Sequence, residues 1–384
     1  MQSKPNSKLR VGVLFGGRSG EHEVSLLSAA SILNAIDKSK FDVVPIGITK
    51  EGQWVTAGHA ERLLKGSHHE EEKHLRAGDP QHTPGAAVLA TGEAIIVPPV
   101  PHVGESVSLL PFDSKSSPSH HSVLSPVNVD VIFPVLHGTF GEDGTVQGLL
   151  ELADIAYVGA GVLGSAAGMD KDVMKKLFAA AGLPIVKHVT ILRSEWEEKP
   201  KQAVKRIESK LKYPLFVKPA NLGSSVGISK AHDRKELGPA IEEAARYDRK
   251  IVIEQGVGGK KRKAREIECS VLGNDSPTAS IAGEVVPAKL TKKQLTEVQQ
   301  TAIAAFKAVD CSGLARVDFL MDPGSKDAKL YVNEINTMPG FTSISMYPKL
   351  WQASGLAYSD LITQLIELAL ERHRDKKRNQ YGRQ

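Results

Sequence analysis

Apolar runs of strand length alternate with stretches of helical periodicity along most of this chain. "RVGVLFGG" reads as a buried strand that breaks at Gly16-Gly17, since a near-continuous apolar run suits a strand covered on both faces. A helix is predicted next, with Leu26, Ala29, Ala30, Leu33 and Ile36 on one face, then a second strand at "FDVVPIGIT". "VNVDVIFPVLHG" gives a further buried strand ending at His137-Gly138, and "GEDGTVQGLLELADIAYVG" a short helix and strand. Asp170 is the predicted N-cap of a helix through "KDVMKKLFAAAG", with Gly182 and Pro184 as its stop. "YPLFVKPA", "KIVIEQGV", "REIECSVLGN" and "ASIAGEVVP" read as strands, followed by the helix "TKKQLTEVQQTAIAAFKAV" and a final helix from about Ser359. The alternation predicts an α/β protein.

Residues 60 to 125 break this rhythm. They are polar and rich in Pro, Ser, Gly and His, which predicts loops or short strands around "EAIIVPP" and "SVSLLPF". His68, His69, His74 and His82 follow no metal-ligand spacing and read as a solvated insertion.

Composition narrows the class. A chain of 384 residues holds two or three domains, and the net charge of +5 sits partly in the tail "ERHRDKKRNQYGRQ". No basic stripe is interleaved with aromatics, so nucleic acid is not an expected partner. No apolar run approaches the length that spans a bilayer, and the polar N-terminus enters its first strand without a signal-peptide core. Cys269 and Cys311 are too few for a disulfide framework and read as packing residues. The expectation is a reduced, cytoplasmic protein without membrane contact.

Candidate chemistry starts at "ARVDFLMDPGSKDAKLYVNEINTMPG", residues 315–340, which reads as two strands around a turn. Alternation puts Arg316 and Asp318 on one face with Val317 and Phe319 opposite, and Glu334 and Asn336 together, opposite Val332 and Ile335 only loosely, since Ile335 alone flanks both. In an antiparallel pair, facing residues have a constant index sum. Pairing 318 with 334 and 316 with 336 satisfies that rule and centres the turn on Lys326, within the turn-forming stretch "DPGSKD". Two carboxylates, an amide and a guanidinium then share one patch. Oxygen ligands of this kind suit Mg²⁺, which keeps waters and bridges to phosphates. The bland alternative is a solvated hairpin face.

Three other stretches carry weaker signals. "FVKPANLGSSVGISK" leads a strand into a Gly/Ser loop after Lys218, where backbone N–H groups and an ammonium suit phosphates, although a plain glycine turn fits as well. It lacks the Walker A spacing. "IVIEQGV" sets Glu254 among apolar neighbours, as an adenine wall or a charged edge strand would. "GGRSGEHEVS" is a strand–glycine–helix junction whose Glu21 and Glu23 either partner the helix dipole or meet a substrate ammonium.

In this order, phosphate loop, adenine strand and magnesium hairpin resemble the ATP-grasp superfamily, and within it the D-alanine–D-alanine ligase family from the first strand to the final helix. The most specific stretches are "GGRSGEHEVS", "HGTFGEDG", "GMDKDVMK", "VKPANLGSSVGISK", "REIECSVLGN", "GLARVDF" and "NEINTMPGFTSISMYP". The resemblance implies an ATP-grasp fold preceded by an N-terminal Rossmann-like domain. It divides the chain into residues 1–137 for substrate binding, 138–230 as a small central subdomain, and 231–384 with the metal and oxyanion site. It implies ligation of two D-alanines for peptidoglycan precursor synthesis, through an acyl phosphate formed with ATP. Glu21 would bind the ammonium of the first D-alanine, with His137 and Ser224 or Ser225 nearby. Lys171 and Lys218 would contact phosphates, Glu254, Gln255 and Val257 would frame adenine, and Glu266 the ribose. Two Mg²⁺ or Mn²⁺ ions would lie on Asp318, Glu334 and Asn336. Arg316 and the N–H of Gly340 would form the oxyanion site, with Ser345 and Met346 near the second D-alanine. A homodimer is the family trait.

The sequence departs from the family in three places. Gln255 stands where a lysine is usual. "GGKKRKA" (258–264) is an added basic turn. After "GEVVP" the family carries a mobile loop with aromatics and a lysine, whereas here "AKLTKKQL" follows at once. That loop closes over the substrates and helps choose the second one, so its loss predicts poorer water exclusion. The alternatives are a D-alanine–D-lactate or other ATP-grasp ligase, and an ATP-binding module with little turnover.

Overall fold

The computed structural model describes residues 8–56, 83–101, 106–112, 126–223, 225–258, 263–283, 288–322, 328–342, 344–380 and 382. Contacts gather the chain into two units, Met1–Ala160 with Met338–Gln384, and Gly161–Thr337.

The first unit is built on an eight-stranded sheet. From edge to edge it runs Val127–Val129, Val107–Pro111, Glu93–Ile96, Trp54–Thr56, Phe41–Ile48, Leu9–Gly16, Val131–Pro134 and Ala156–Tyr157. Leu9–Gly16 lies in parallel between Phe41–Ile48 and Val131–Pro134, and its Val11, Val13, Leu14 and Phe15 are fully buried. The near-continuous apolar run follows from that central position. The helix His22–Ala35 makes the first crossover and buries Leu26, Ala29, Ile32 and Leu33.

Two features differ from the sequence reading. Pro84–Thr91 is a helix rather than a loop, capped by Thr83, whose hydroxyl accepts the Ala86 N–H at 3.1 Å, with Pro84 in its first turn. The final helix, Tyr358–Lys376, belongs with the N-terminal sheet and not with residues 231–337. Its Arg372 donates to the Tyr157 carbonyl at 3.0 Å and lies 4.3 Å over the Tyr157 ring, while His373 Nε2 meets Asp154 Oδ1 at 2.9 Å. The limits of the two contact units fall at 160 and 337.

The second unit holds two four-stranded antiparallel sheets. One runs Ser229–Ala231, Leu215–Pro219, Lys250–Gln255, His188–Leu192, and packs Val217, Ile251 and Ile253 against Ile207, Leu237 and Ile241 of two helices. The other runs Thr278–Gly283, Arg265–Gly273, Gly313–Met321, Leu330–Asn336. The helix Lys292–Ala308 packs against it, burying Val298, Ala302, Ala305 and Phe306. Asp170 caps the helix Lys171–Ala180 as predicted, its Oδ1 accepting the N–H groups of Asp172 and Val173 at 3.1 Å each. Gly182 follows with φ +72°.

Cys269 is fully buried on the core side of its sheet, and burial pushes its thiol up to about 12. It is expected to stay unmodified by a thiol reagent at pH 8 and to react only on unfolding, a contrast that peptide mapping before and after denaturant checks.

Candidate active site

Two strands set the geometry of the hairpin face. Arg316 pairs with Asn336 and Asp318 with Glu334, the register that the spacing predicts. The neighbouring strand extends both rows, with Glu268 opposite Asp318 and Ser270 opposite Arg316. One row therefore reads Glu268, Asp318, Glu334, and the next Ser270, Arg316, Asn336. Behind them Ile267, Cys269, Val317, Phe319, Val332 and Ile335 are buried. Strict alternation would put Val332 on the polar face with Glu334. A bulge prevents this: Asn333 has no facing partner, and Val332 pairs with Phe319 instead.

Charge on this face is unbalanced. Arg316 grips Asp318 in a two-pronged pair, Nε to Oδ1 and Nη2 to Oδ2, both at 2.7 Å, and its Nε lies 3.6 Å from Glu268. Asn336 Nδ2 donates to Asp318 Oδ2 at 3.0 Å. Three carboxylates thus face one guanidinium. Burial pushes the Asp318 carboxyl up and the charge of Glu334 adds to it, against the pull of Arg316. A divalent cation fits the donor set of Asp318, Glu334 and the Asn336 amide oxygen, all hard oxygens. Among the described residues, no three His, Cys, Asp or Glu side chains converge on one metal position. A cation there needs further oxygens from a bound molecule.

Behind the Gly/Ser loop lies a buried triad. Glu254 Oε2 meets Lys218 Nζ at 2.8 Å and Oε1 meets Lys175 Nζ at 2.8 Å. Burial alone would raise the Glu254 carboxyl, but the two ammonium groups outweigh it and hold it well below the usual carboxylate range. Burial likewise acts to lower Lys218, and Glu254, Glu334 and Glu266 together keep it raised. Lys171 Nζ donates to the Leu222 carbonyl at 2.8 Å, and Asp248 Oδ2 accepts the Asn221 N–H at 2.8 Å. These contacts pin the root of the Gly/Ser loop. Ser225, exposed at φ +58°, lies in the loop, and Ser224 lies outside the described residues.

The structure thus gathers Lys171, Lys218, Glu254, Arg316, Asp318, Glu334 and Asn336 in one unit. Glu266 stands exposed on the strand that carries Glu268, and Val257 is half-buried. The Gln255 amide oxygen accepts the Lys212 N–H at 3.0 Å and so holds a neighbouring turn. Glu268 and Lys175 were missed in the sequence. The signal for Lys175 was its place one helical turn beyond Lys171.

The first unit holds the remaining candidates. Glu21 stands at the N-cap of His22–Ala35 without capping the helix, and a Cβ placed on Gly138 would lie 3.5 Å from its Oε1. His137 is buried. Its Nδ1 donates to the Met338 carbonyl at 3.2 Å, since a carbonyl only accepts, and its Nε2 meets Ser28 Oγ at 3.2 Å. Glu142, also missed, lies 3.7 Å from His137 Nδ1, and burial pushes its carboxyl up with added effect from Glu21. Gly340 approaches Ser345 so closely that a Cβ there would lie 3.0 Å from the hydroxyl. That hydroxyl accepts the Thr342 N–H at 3.0 Å at the start of the helix Met346–Ala353.

A Rossmann-like N-terminal domain, followed by two antiparallel sheets with buried lysines and an oxygen-lined hairpin, defines an ATP-grasp protein. The family model "D-ala D-ala ligase N-terminus" matches residues 10–160, and "D-ala D-ala ligase C-terminus" matches 177–289 and 284–367. The chain belongs to the D-alanine–D-alanine ligase family. It is 48% identical over 390 residues to the D-alanine–D-alanine ligase of Geobacillus thermodenitrificans, covering 96% of this chain and 97% of that protein. It is 44% identical to that of Bacillus cytotoxicus, covering 98% and 99%. Among solved structures, the D-alanine–D-alanine ligase from Coxiella burnetii matches with TM-score 0.78 and 37% identity over 97% of this chain and 96% of that one. The VanG D-Ala:D-Ser ligase from Enterococcus faecalis matches with TM-score 0.77 and 33% identity over 94% and 100%. The family is ATP-dependent and uses a divalent metal.

Proposed function

We propose that this chain ligates two D-alanines to D-alanyl-D-alanine with ATP, through an acyl phosphate, as a cytoplasmic step toward peptidoglycan. The observation that carries this reading is the paired row of Asp318 and Glu334 in the same unit as the Lys175–Glu254–Lys218 triad. Lys171 fixes the root of the phosphate loop, and Lys218 presents an ammonium to the phosphates. Ser225 offers a hydroxyl from that loop, with Ser224 beside it in sequence. Glu254, Gln255 and Val257 line the adenine strand, and Glu266 lies toward the ribose. Asp318, Glu334 and the Asn336 oxygen would hold Mg²⁺ or Mn²⁺, which when bound neutralises phosphate charge in a transfer that depends on positioning. Arg316 and the Gly340 N–H would each meet developing oxyanion charge, a role of about 2.7–4 kcal/mol per donor. Glu21 takes the ammonium of the first D-alanine, while His137 is oriented by its Nδ1–H donating to the Met338 carbonyl. Ser345 and Met346 lie toward the second substrate. A homodimer is the expected assembly.

One observation favours a looser second-substrate choice. The Ala288 N–H donates to the Ala282 carbonyl at 2.9 Å, so the chain that leaves its strand at Gly283 is back beside it at Ala288. Four residues separate Gly283 from Ala288, and the C-terminal family model matches in two stretches that meet here. The family's closing loop has no room in four residues. Phosphate release and dipeptide formation should therefore be measured together, with D-alanine, D-serine and D-lactate as second substrates across pH. The expected result is D-alanine-dependent dipeptide with phosphate in excess, the mark of a hydrolysed acyl phosphate. Nucleotide binding without D-alanine-dependent phosphate would leave only an ATP-binding module.

A further inference from the structure

The Lys175–Glu254–Lys218 triad holds two positive charges against one negative, almost wholly out of water. Side-chain exposures are 0% for Lys175, 4% for Glu254 and 11% for Lys218. Each Glu254 oxygen is taken by a different lysine at 2.8 Å, so the carboxylate charge is divided between them. Lys175 has no open side. Among the described residues its ammonium reaches Glu254 and, at 3.2 Å, the Asn333 carbonyl of the hairpin. Lys218 has one, at the end of the strand Leu215–Pro219 where the phosphate loop begins.

We propose that Lys175 is a positioning residue for polyphosphate: by taking half of the Glu254 charge, it leaves Lys218 with positive charge free for an anion. The inference rests on reading the chain as an ATP-using ligase. Without Lys175, Lys218 and Glu254 form a closed neutral pair, and an arriving phosphate meets no net charge. The Coulomb attraction at stake is large because the triad is screened from solvent. A lysine that merely filled its helix would influence packing instead, whatever the charge on Glu254.

The two roles separate in a charge-restoration experiment. Calorimetric binding of inorganic tripolyphosphate, ATP and adenosine is measured over a salt series for the parent, Lys175→Met, and Lys175→Met with Glu254→Gln. Lys175→Met is expected to weaken tripolyphosphate and ATP about tenfold or more and to flatten the salt dependence, leaving adenosine within about twofold. The double variant again leaves one uncompensated ammonium, on Lys218, and should regain most of the tripolyphosphate binding. Should the single variant fail to fold, the double variant carries the test alone, with near-parental binding expected. Binding by Lys175→Met within about twofold of the parent, or a double variant no better than the single one, overturns the proposal. A parent that binds no ATP overturns the ligase reading and this inference with it.

Discussion

Asp318→Ala should abolish D-alanine-dependent phosphate release from ATP, a loss of well over about a hundredfold, while the fold survives. Outer-shell partners of a metal alone commonly cost about 10–100-fold, and Asp318 stands at the centre of the acidic row. Its side chain lies on the polar face, whereas Val317 and Phe319 carry the core contacts of that strand. Removing it frees Arg316 from its two-pronged partner, so some stability is lost with activity. Glu334→Ala is the cleaner companion. Glu334 is half-buried and acts on Asp318 and Lys218 through its charge, so its loss removes a carboxylate from the row without freeing Arg316 from Asp318. Turnover and metal activation should be measured beside thermal unfolding. Near-parental turnover in either variant would remove the metal from this row.

Glu254→Ala should act on stability. It strands two buried ammonium groups, and breaking a buried pair by removing one partner costs about 3–5 kcal/mol. The effect has a pH signature. Folded Glu254 sits far below its ordinary value of 4.5, so the stability it contributes is present above that pH. It is lost as the pH falls further, toward the depressed folded value, at up to about 1.36 kcal/mol per unit. The gap between parent and variant in urea should be full at pH 7 and narrower at pH 3. A constant gap would mean that Glu254 is not held ionised by the two lysines.

Local patterns exposed much of this in the sequence. The hairpin register followed from an index sum because both strands and their turn are contiguous, and the cap at Asp170 and stop at Gly182 are equally local. What escaped was assembled at a distance. Glu268 joins the acidic row from a strand some fifty residues upstream of its partner, and nothing within "REIECSVLGN" sets it apart from Glu266. Lys175 hid within an amphipathic helix, where a lysine normally faces water. The final helix joined the N-terminal sheet through Arg372 and His373, a pairing that no periodicity encodes. The helix after Thr83 was different: its Thr-Pro start was legible, but the polar insertion around it masked the signal.

Asn333 is the one position of its strand that cross-strand matching does not require. With it deleted, Val332, Glu334, Ile335 and Asn336 would alternate regularly in the very orientations they already hold. Yet its carbonyl accepts from the Lys175 ammonium, beside the Glu254 carboxylate. A hairpin shortened by that single residue would keep its ligating face and leave a deep cation one oxygen short, which ties the length of one strand to the electrical state of the other sheet.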